Sequence, residues 1–217
     1  MILHHLSENN SVLNHFLSQI RDVEVQKDGL RFRKNMERIG EIMAYEISKI
    51  LVYQTHQTKT PLGTKATFLV KDKIVVCSIL RAGLALHTGF TSFFDEAENG
   101  FISAYRHHYN NDDAFEIKVE YKAAPSFTDK NLLLVDPMLA TGESIVAVFS
   151  KIIQNEHPKE VHIAVAIAAP EGIAFLEKNL PEHCHLWIAS IDEKLNSKNY
   201  IVPGLGDAGD LAFGIKL

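Results

Sequence analysis

Residues 131–144 have the sequence NLLLVDPMLATGES. The apolar run from Leu132 to Val135 predicts a buried strand, which ends abruptly at the carboxylate of Asp136. A turn of small and hydroxyl residues follows, and a helical pattern extends over residues 142–155. A strand, a small-residue turn and a helix N-terminus together form a phosphate cradle, because free N–H groups and the positive end of the helix dipole face the anion.

The side chains of this segment indicate the kind of phosphate. A carboxylate repels phosphate, so Asp136 favours a ligand that also carries hydroxyl groups, as a ribose phosphate does. Thr141 and Ser144 offer hydroxyl donors to the anion. The alternative is an ordinary βα turn in which these hydroxyls only cap the helix, an effect of about 1 kcal/mol each. Two other segments of the chain favour the phosphoribosyl site.

Strand and helix patterns alternate on both sides of this segment. Near-continuous apolar runs predict strands over residues 74–80, 100–106, 132–136, 161–169 and 186–192, with helices over residues 85–97, 144–155 and 172–180. Such runs are typical of a parallel sheet buried on both faces. The predicted fold class is therefore α/β, an open and mostly parallel sheet flanked by helices, with ligands at the carboxyl ends of the strands.

The remaining segments predict additions to this sheet. Residues 11–52 have the apolar periodicity of two helices, which we expect to pack on the main domain or on a second subunit. Residues 53–73 are polar and predict a loop or a short excursion. Strict alternation over residues 115–122 predicts a half-exposed strand in a hairpin that stands off the sheet, and residues 107–113 before it predict a flap over the site. We find no linker or repeat, so we predict one domain, 1–217, with residues 1–60 as a helical extension packed on it.

Composition limits the class of protein. Apolar residues make up 46% of the 217 residues, which excludes a disordered chain. No apolar stretch approaches the ~20 residues that span a bilayer, and the N-terminus has no secretory signal pattern. The net charge of −5 gives no support to nucleic-acid binding. Two distant cysteines predict reduced thiols and a cytoplasmic location.

Two arginines follow predicted strands on the side of the sheet where Asp136 lies. Arg81 leaves the first strand next to Gly83, which allows close backbone approach, and a pyrophosphate group suits an arginine with free N–H groups. Arg106 ends the next strand. A surface arginine at a helix start is the alternative for Arg81, but two arginines at equivalent strand ends favour anion binding.

Histidines suggest a metal site, which we consider less favoured. His107 and His108 are adjacent, and neighbours on an extended chain point to opposite sides, so they seldom share a metal. His183 and His185 could share one strand face, but no further ligands cluster with them in the sequence. We therefore predict no metal held by protein ligands.

The C-terminal segment, residues 200–210, is rich in glycine. Gly204, Gly206 and Gly209 satisfy the dinucleotide pattern G-x-G-x-x-G, but only eight residues follow, too few for the helix and strand that this motif needs. We predict an irregular loop whose backbone contacts a flat heterocycle. Backbone hydrogen bonds can select such a base over analogues that lack the partner atoms by a factor of roughly 10⁴–10⁵. A glycine-rich tail with a turn is the alternative.

Taken together, these segments resemble uracil phosphoribosyltransferases. The resemblance covers most of the chain, and its motifs are residues 80–83, 105–106, 136–142, 168–172 and 200–210. The last motif is specific to the uracil enzymes within the phosphoribosyltransferase class. The resemblance implies that uracil and 5-phosphoribosyl 1-diphosphate (PRPP) give UMP and pyrophosphate, with Mg²⁺ carried by the diphosphate and its waters. It also implies a homodimer or larger homo-oligomer, and some relatives bind GTP.

The resemblance assigns site residues. Arg106, Asp136 and Asp207 would be catalytic, and Ile201, Gly206, Asp207 and Ala208 would bind uracil. The PRPP-binding residues would be Arg81, Arg106, Asp136, Pro137, Met138, Leu139, Ala140, Thr141, Gly142, Glu143, Ser144 and Asp207.

The sequence departs from the family pattern at Glu143, where a second glycine is usual. Its side chain must point away from the phosphate or repel it, which puts the tightness of the 5-phosphate site in question. The predicted function remains transfer of the phosphoribosyl group to uracil. The rivals are a non-catalytic regulator of the same fold that senses pyrimidine nucleotides, a dinucleotide-dependent oxidoreductase, and a family member made inactive by Glu143.

Overall fold

The computed structural model describes the backbone of residues 1–108 and 115–216, and the side chains of residues 1–104 and 119–216. The strands are β1 (Ile2–His5), β2 (Tyr53–Thr60), β3 (Gly63–Val70), β4 (Ile74–Leu80), β5 (Glu98–His108), β6 (Phe115–Ala123), β7 (Asn131–Val135), β8 (Met138–Leu139), β9 (Glu160–Ala168), β10 (His185–Ile191), β11 (Lys194–Leu195) and β12 (Ile201–Val202). The helices are α1 (Leu13–Arg21), α2 (Gly29–Ser48), α3 (Leu84–Thr91), α4 (Glu143–Ile153), α5 (Pro170–Asn179) and α6 (Ala208–Phe213), with a 3-10 turn at Leu6–Glu8.

The central sheet has the strand order β1-β10-β9-β7-β4-β5-β6, with β8 also paired to β9. Every pairing in it is parallel except that of β5 with β6. The predicted fold class is therefore confirmed, and all five predicted core strands are present. Their carboxyl ends meet at one edge of the sheet, as parallel pairing requires.

Helices cover both faces of this sheet, which explains the near-continuous apolar strands. Side chains of β4 and β7 alternate between two cores: Val76 and Leu133 pack with α1, α2 and α3, whereas Val75 and Leu132 pack with α4 and α5. All four side chains are completely buried. Since each strand has two buried faces, its residues cannot alternate between apolar and polar.

The N-terminal segment contributes a strand as well as the two predicted helices. β1 pairs in parallel with β10 at the edge of the sheet, a strand that the sequence analysis did not predict. α2 crosses α3 where Gly40 and Gly89 meet, and a Cβ on Gly89 would lie 2.0 Å from the carbonyl oxygen of Glu37. Only glycine permits this close helix crossing, which places α3 against the sheet.

Residues 53–73 were predicted as a loop or a short excursion, and of these two the loop is wrong. β2 and β3 form an antiparallel hairpin that pairs Tyr53 with Val70 and Thr60 with Gly63. Most of its residues are exposed on both faces. A strand without a buried face has no reason to alternate apolar and polar residues. The period of two that would have predicted these strands is therefore absent from the sequence.

The strand predicted near residues 115–122 exists, but half of its hairpin belongs to the sheet. β5 pairs with β4 only as far as Ser103, and beyond a bulge at Ser103/Ala104 it continues against β6 alone. The distal half of the hairpin therefore extends past the carboxyl end of β4, as predicted for a flap. Residues 109–113 of the predicted flap lie outside the described residues.

The C-terminal segment is more regular than the predicted loop. β11 and β12 form a short antiparallel pair, and residues 208–213 form α6. The prediction of irregular backbone there was wrong after Asp207, because the Asp207 carboxylate accepts a hydrogen bond from the Asp210 N–H and begins the helix.

Neither cysteine is paired: Cys77 and Cys184 are buried free thiols. Among the described residues, no helix combines the length and the apolar character that crossing a bilayer requires.

Candidate active site

A cavity of about 650 Å³ opens at the carboxyl ends of β4 and β7. It brings together residues that are far apart in the sequence: Arg81 after β4, Asp136 after β7, and Asp207 at the start of α6. Ser144 of α4 and Lys216 of the C-terminal tail also line it. The predicted anion-binding segment and the predicted base-reading segment therefore share one cleft.

The segment between β7 and α4 is held from behind by its neighbours. The Pro137 carbonyl accepts hydrogen bonds from two N–H groups of β9, and a Cβ on Gly172 of α5 would lie 2.3 Å from the Ala140 carbonyl oxygen. Leu139 is completely buried, so its side chain faces the core rather than the cleft. Of residues 137–140, only Met138 lines the cavity. The others could contact a ligand through the backbone alone.

Gly142 ends this turn and begins α4. Its φ of +83° is in the left-handed region, and a Cβ there would approach the Phe175 ring to 3.1 Å and the Gly172 carbonyl to 3.2 Å. A residue with a side chain would be strained here. Because of this turn, α4 begins at the cleft, where Ser144 lies. The free N–H groups at the N-terminus of a helix stabilise an anion.

Asp136 is the most perturbed acid of the cleft. Burial raises the pKa of its carboxyl to about 7, and a hydrogen bond from the Met138 N–H, 3.4 Å from Oδ1, opposes this rise only in part. The carboxyl therefore changes charge near neutral pH, as expected for a group that meets a polar ligand in a desolvated site.

Arg81 lies on a tight turn at the end of β4. The Leu80–Arg81 peptide bond is cis, and a Cβ on Gly83 would lie 2.8 Å from the carbonyl oxygens of both Ile79 and Val135. The Arg81 guanidinium donates through Nη2 to Asp210 Oδ1 at 2.8 Å and to the Gly214 carbonyl at 2.7 Å. Its Nε is buried and has no hydrogen-bond partner among the described residues.

Arg106 belongs to β5, where its backbone pairs with Ile117. Its side chain lies outside the described residues, and its assigned role stays a prediction.

The predicted base-binding residues lie in the segment from β12 to α6. Ile201 and Ala208 are buried, so their side chains cannot reach a ligand and only their backbone groups are available. Gly206 has a φ of +95° and is exposed, in a conformation that side chains disfavour. Asp207 is half-buried: Oδ1 accepts from the Asp210 N–H at 2.9 Å, and Oδ2 lies 3.7 Å from Lys216 Nζ.

Ser103, Ala104 and Lys216 line the cleft and were not assigned to the site by the sequence analysis. Ser103 and Ala104 lie in β5 just before residue 105, and their position at a strand end was an available signal. The sequence contained no signal for Lys216, because its position depends on the path of the chain after α6.

Of the histidines suggested as metal ligands, His183 and His185 do not line the cleft. His185 Nδ1 and His4 Nε2 hydrogen-bond at 2.9 Å on neighbouring strands, and the His4 ring stacks on Trp187 at 3.7 Å. The His183 side chain is exposed. Among the described residues, no three His, Cys, Asp or Glu side chains are arranged to hold a metal. His107 and His108 have side chains outside the described residues.

Comparisons with known proteins agree with this geometry. The sequence model of a family described as "Uracil phosphoribosyltransferase" matches residues 7–215. The chain is 47% identical to a uracil phosphoribosyltransferase of Porphyromonas gingivalis, with 98% of each chain covered. It is 35% identical to one of Thermococcus gammatolerans, with 97% of this chain and 92% of the other covered. It is also similar to the solved structure of the AQ2163 protein from Aquifex aeolicus, with a TM-score of 0.87, 29% identity and complete coverage of both chains.

Proposed function

The chain belongs to the uracil phosphoribosyltransferase family, and we propose that the cleft between Asp136 and Asp207 is where it works. The reaction transfers the phosphoribosyl group of PRPP to uracil and gives UMP and pyrophosphate, a step of pyrimidine salvage. The observation that supports the location is that Asp136 and Asp207, which are 71 positions apart, line one cavity.

The cleft divides into regions that match the parts of PRPP. The backbone of residues 137–142 and the hydroxyls of Thr141 and Ser144 would hold the 5-phosphate at the N-terminus of α4. The Asp136 carboxylate would accept hydrogen bonds from the ribose hydroxyls. Arg81, which lines the cavity, would hold the diphosphate, and Arg106 would do so from the distal half of the β5–β6 hairpin.

The base would lie against the segment from β12 to α6. Backbone groups of Ile201, Gly206 and Ala208 would read the edges of uracil, since the first and last of these have buried side chains. Asp207 would lie between base and sugar, because its carboxylate lines the cavity. Recognition through the backbone discriminates by donor and acceptor pattern rather than by size.

The chemistry follows from this placement. The bond from the anomeric carbon to the diphosphate oxygen breaks, pyrophosphate leaves with the electron pair, and the uracil ring nitrogen forms the new bond as it loses its proton. Holding that nitrogen against the anomeric carbon removes up to ~7–11 kcal/mol of the barrier. Arg81 and Arg106 would stabilise the negative charge that develops on the leaving group, so no nucleophilic side chain is needed.

The residues of the cleft fit a magnesium ion that enters with the substrate. Asp136 and Asp207 offer carboxylate oxygens, which Mg²⁺ prefers, but the described residues form no complete ligand set. When bound, the ion would neutralise diphosphate charge. The chain's own contribution would be to orient the diphosphate through Arg81.

We also propose a homo-oligomer, supported by the β2–β3 hairpin. Leu62 at its tip is fully exposed and Phe68 is 71% exposed, whereas an isolated two-stranded hairpin is marginally stable in water. Packing of this hairpin on a second copy would bury both side chains. In light scattering, the F68S variant should show a smaller assembly than the wild type, and an unchanged mass would refute this role. A cytoplasmic location, which the two cysteines predict, and GTP binding, which the family resemblance suggests, stay predictions.

The test of the proposed function is direct. The protein is incubated with Mg²⁺, PRPP and radiolabelled uracil, cytosine, hypoxanthine or orotate, and nucleotide products are separated. Only uracil should yield a nucleotide, and formation of a nucleotide from another base instead would overturn the base assignment. If no base reacts, the non-catalytic regulator or the inactive family member gains support; the relatives described above, however, are named as the enzyme.

A further inference from the structure

A buried ion pair holds the segment that carries the predicted base-binding residues. Asp192 follows β10 and is 8% exposed. Its carboxylate accepts from Arg21 Nη1 at 2.7 Å, from Arg21 Nη2, and from the Gly204 N–H at 2.8 Å. One carboxylate therefore connects α1 to the turn that follows β12.

Arg21 contacts the same turn from the other side. It is the last residue of α1, and its Nη1 also donates to the Gly204 carbonyl at 3.0 Å, while Nη2 donates to Ser190 Oγ at 3.3 Å. Both backbone polar groups of Gly204 are thus bound to the ion pair. Gly204 has a φ of +63°, and a Cβ on it would lie 2.1 Å from the Ile201 carbonyl oxygen, so the turn has little freedom to shift.

We propose that Arg21 and Asp192 are positioning residues that determine how tightly and how selectively the protein binds the base. This inference rests on the proposed function, in which the backbone of residues 201–208 reads uracil. A buried ion pair adds little net stability compared with apolar packing, so its value here is geometric. Two planar hydrogen-bonding groups fix the turn between Ile201 and Gly206, and backbone recognition tolerates little displacement.

The inference places the N-terminal helix in base selection. Arg21 is 183 residues before Gly204 in the sequence, and α1 does not line the cavity. The helix would act on the base only through the turn at Gly204. The donor half of the cleft, around Asp136 and Ser144, has no hydrogen bond to this pair among the described residues, so loss of the pair should affect uracil and spare PRPP.

The test compares the KM values for uracil and for PRPP in R21M, R21K, D192N and G206A, each as the full chain. D72N is the matched control. Asp72 is an aspartate with 7% of its side chain exposed, and it pairs with Lys159 near the amino ends of the strands. Melting temperature and PRPP binding without uracil are measured for every variant, to separate folding from recognition.

We expect R21M and D192N to lower kcat/KM for uracil by about 10- to 100-fold, with the KM for PRPP changed by less than about twofold. R21K should be partly impaired, because an ammonium group cannot replace the planar fork. D72N should lower the melting temperature without changing either KM. If R21M does not fold, R21K and D192N decide the question. An unchanged KM for uracil in these variants, or equal increases in both KM values, would overturn the inference.

G206A distinguishes this inference from the proposed function. Alanine is strained at a φ of +95°, so the variant disturbs the base segment itself. If G206A leaves the KM for uracil unchanged, the base assignment of the proposed function fails. If G206A raises that KM while R21M and D192N do not, only the positioning role fails.

Discussion

The hydroxyl of Thr141 donates a hydrogen bond to the carboxylate of Glu143 at a distance of 3.3 Å, within the turn assigned to the 5-phosphate. A phosphate in this turn would need the same hydroxyl. In the proposed site, Glu143 would therefore compete with the substrate for a donor and add a negative charge beside it. The effect of having Glu143 in place of the glycine that is usual in the family pattern can be measured as a change in the KM for PRPP.

We predict that Glu143→Gly lowers the KM for PRPP by about threefold to tenfold, since a tenfold change corresponds to ~1.4 kcal/mol. Glycine at this first helical position should also lower the melting temperature slightly, by the loss of up to ~1 kcal/mol of helix propensity. Steady-state kinetics with varied PRPP measures the effect. Glu143→Gln separates charge from shape, and Glu177→Gln on the exposed face of α5 is the control. An unchanged KM would mean that the side chain moves aside without cost.

Asp136 should make the stability of the protein depend on pH. Its folded pKa of about 7 lies above the ordinary value of 3.8, so the folded chain holds more protons than the unfolded chain between these values, and stability falls as pH rises through that window. At ~1.4 kcal/mol per pKa unit, the cost above pH 7 is at most about 4 kcal/mol. Asp136→Asn should therefore be more stable than the wild type in urea unfolding at pH 8, about equal near pH 4, and impaired in activity. A difference independent of pH would show that the pKa is not raised.

Asp207→Asn should cut turnover by at least about 100-fold while the fold stays intact. Asparagine caps a helix as well as aspartate does, so the hydrogen bond from the Asp210 N–H is retained and only the charge in the cleft is lost. Turnover under saturating substrates and the melting temperature check the two halves of this prediction. Asp207→Ala should add a cost of ~1 kcal/mol in stability. Wild-type rates in Asp207→Asn would reject the assigned role.

Lys216 should assist donor binding from the C-terminal tail. Its ammonium lines the cleft 3.7 Å from the Asp207 carboxylate and is largely exposed. Lys216→Met should raise the KM for PRPP by roughly two- to fivefold, in keeping with the ~0.2–1 kcal/mol of exposed charge pairs. The increase should shrink at high salt. Lys178→Met, an exposed lysine of α5, controls for net charge, and equal effects of the two substitutions would remove Lys216 from the site.

His162 should make the protein sensitive to acid. Burial lowers its pKa to about 3, helped by His185 and His4, and Trp187 Nε1 donates to its Nδ1 at 3.3 Å. The unfolded chain binds this proton below pH 6.5 and the folded chain does not until about pH 3, so stability falls as pH drops through that window, by ~2 kcal/mol at pH 5. In urea unfolding, His162→Gln should lose less stability between pH 7.5 and 5 than the wild type. The exposed His15→Gln should behave as the wild type, and parallel pH curves for His162→Gln would contradict the prediction.

The regular parts of the fold were predicted where burial leaves a pattern. The strand at residues 74–80 was predicted with its observed ends, because both of its faces pack in the core and every residue except Ser78 is apolar. The β2–β3 hairpin was missed for the opposite reason, since neither face is buried. β1 has only four residues, too few for a period to appear, and it is a strand because β10 lies beside it.

The candidate site was predicted in part for a similar reason. Asp136 and Gly142 belong to a local unit of strand, turn and helix, and the pattern of that unit is contained in one short stretch of the sequence. Lys216 and the Arg21–Asp192 pair gave no such signal, because the partners of that pair are 171 positions apart.

The amino-acid sequence by itself therefore determined the α/β class, the core strands and the turn between β7 and α4 that is proposed to bind phosphate. Only the tertiary structure decided that Asp136 and Asp207 share a cleft and that α1 holds the turn at Gly204. The physical reason is the distance along the chain between the residues that interact. Periodicity and capping depend on neighbours along the chain, whereas the cleft depends on a strand order that places β4 between β5 and β7 and brings distant carboxyl ends to one edge of the sheet.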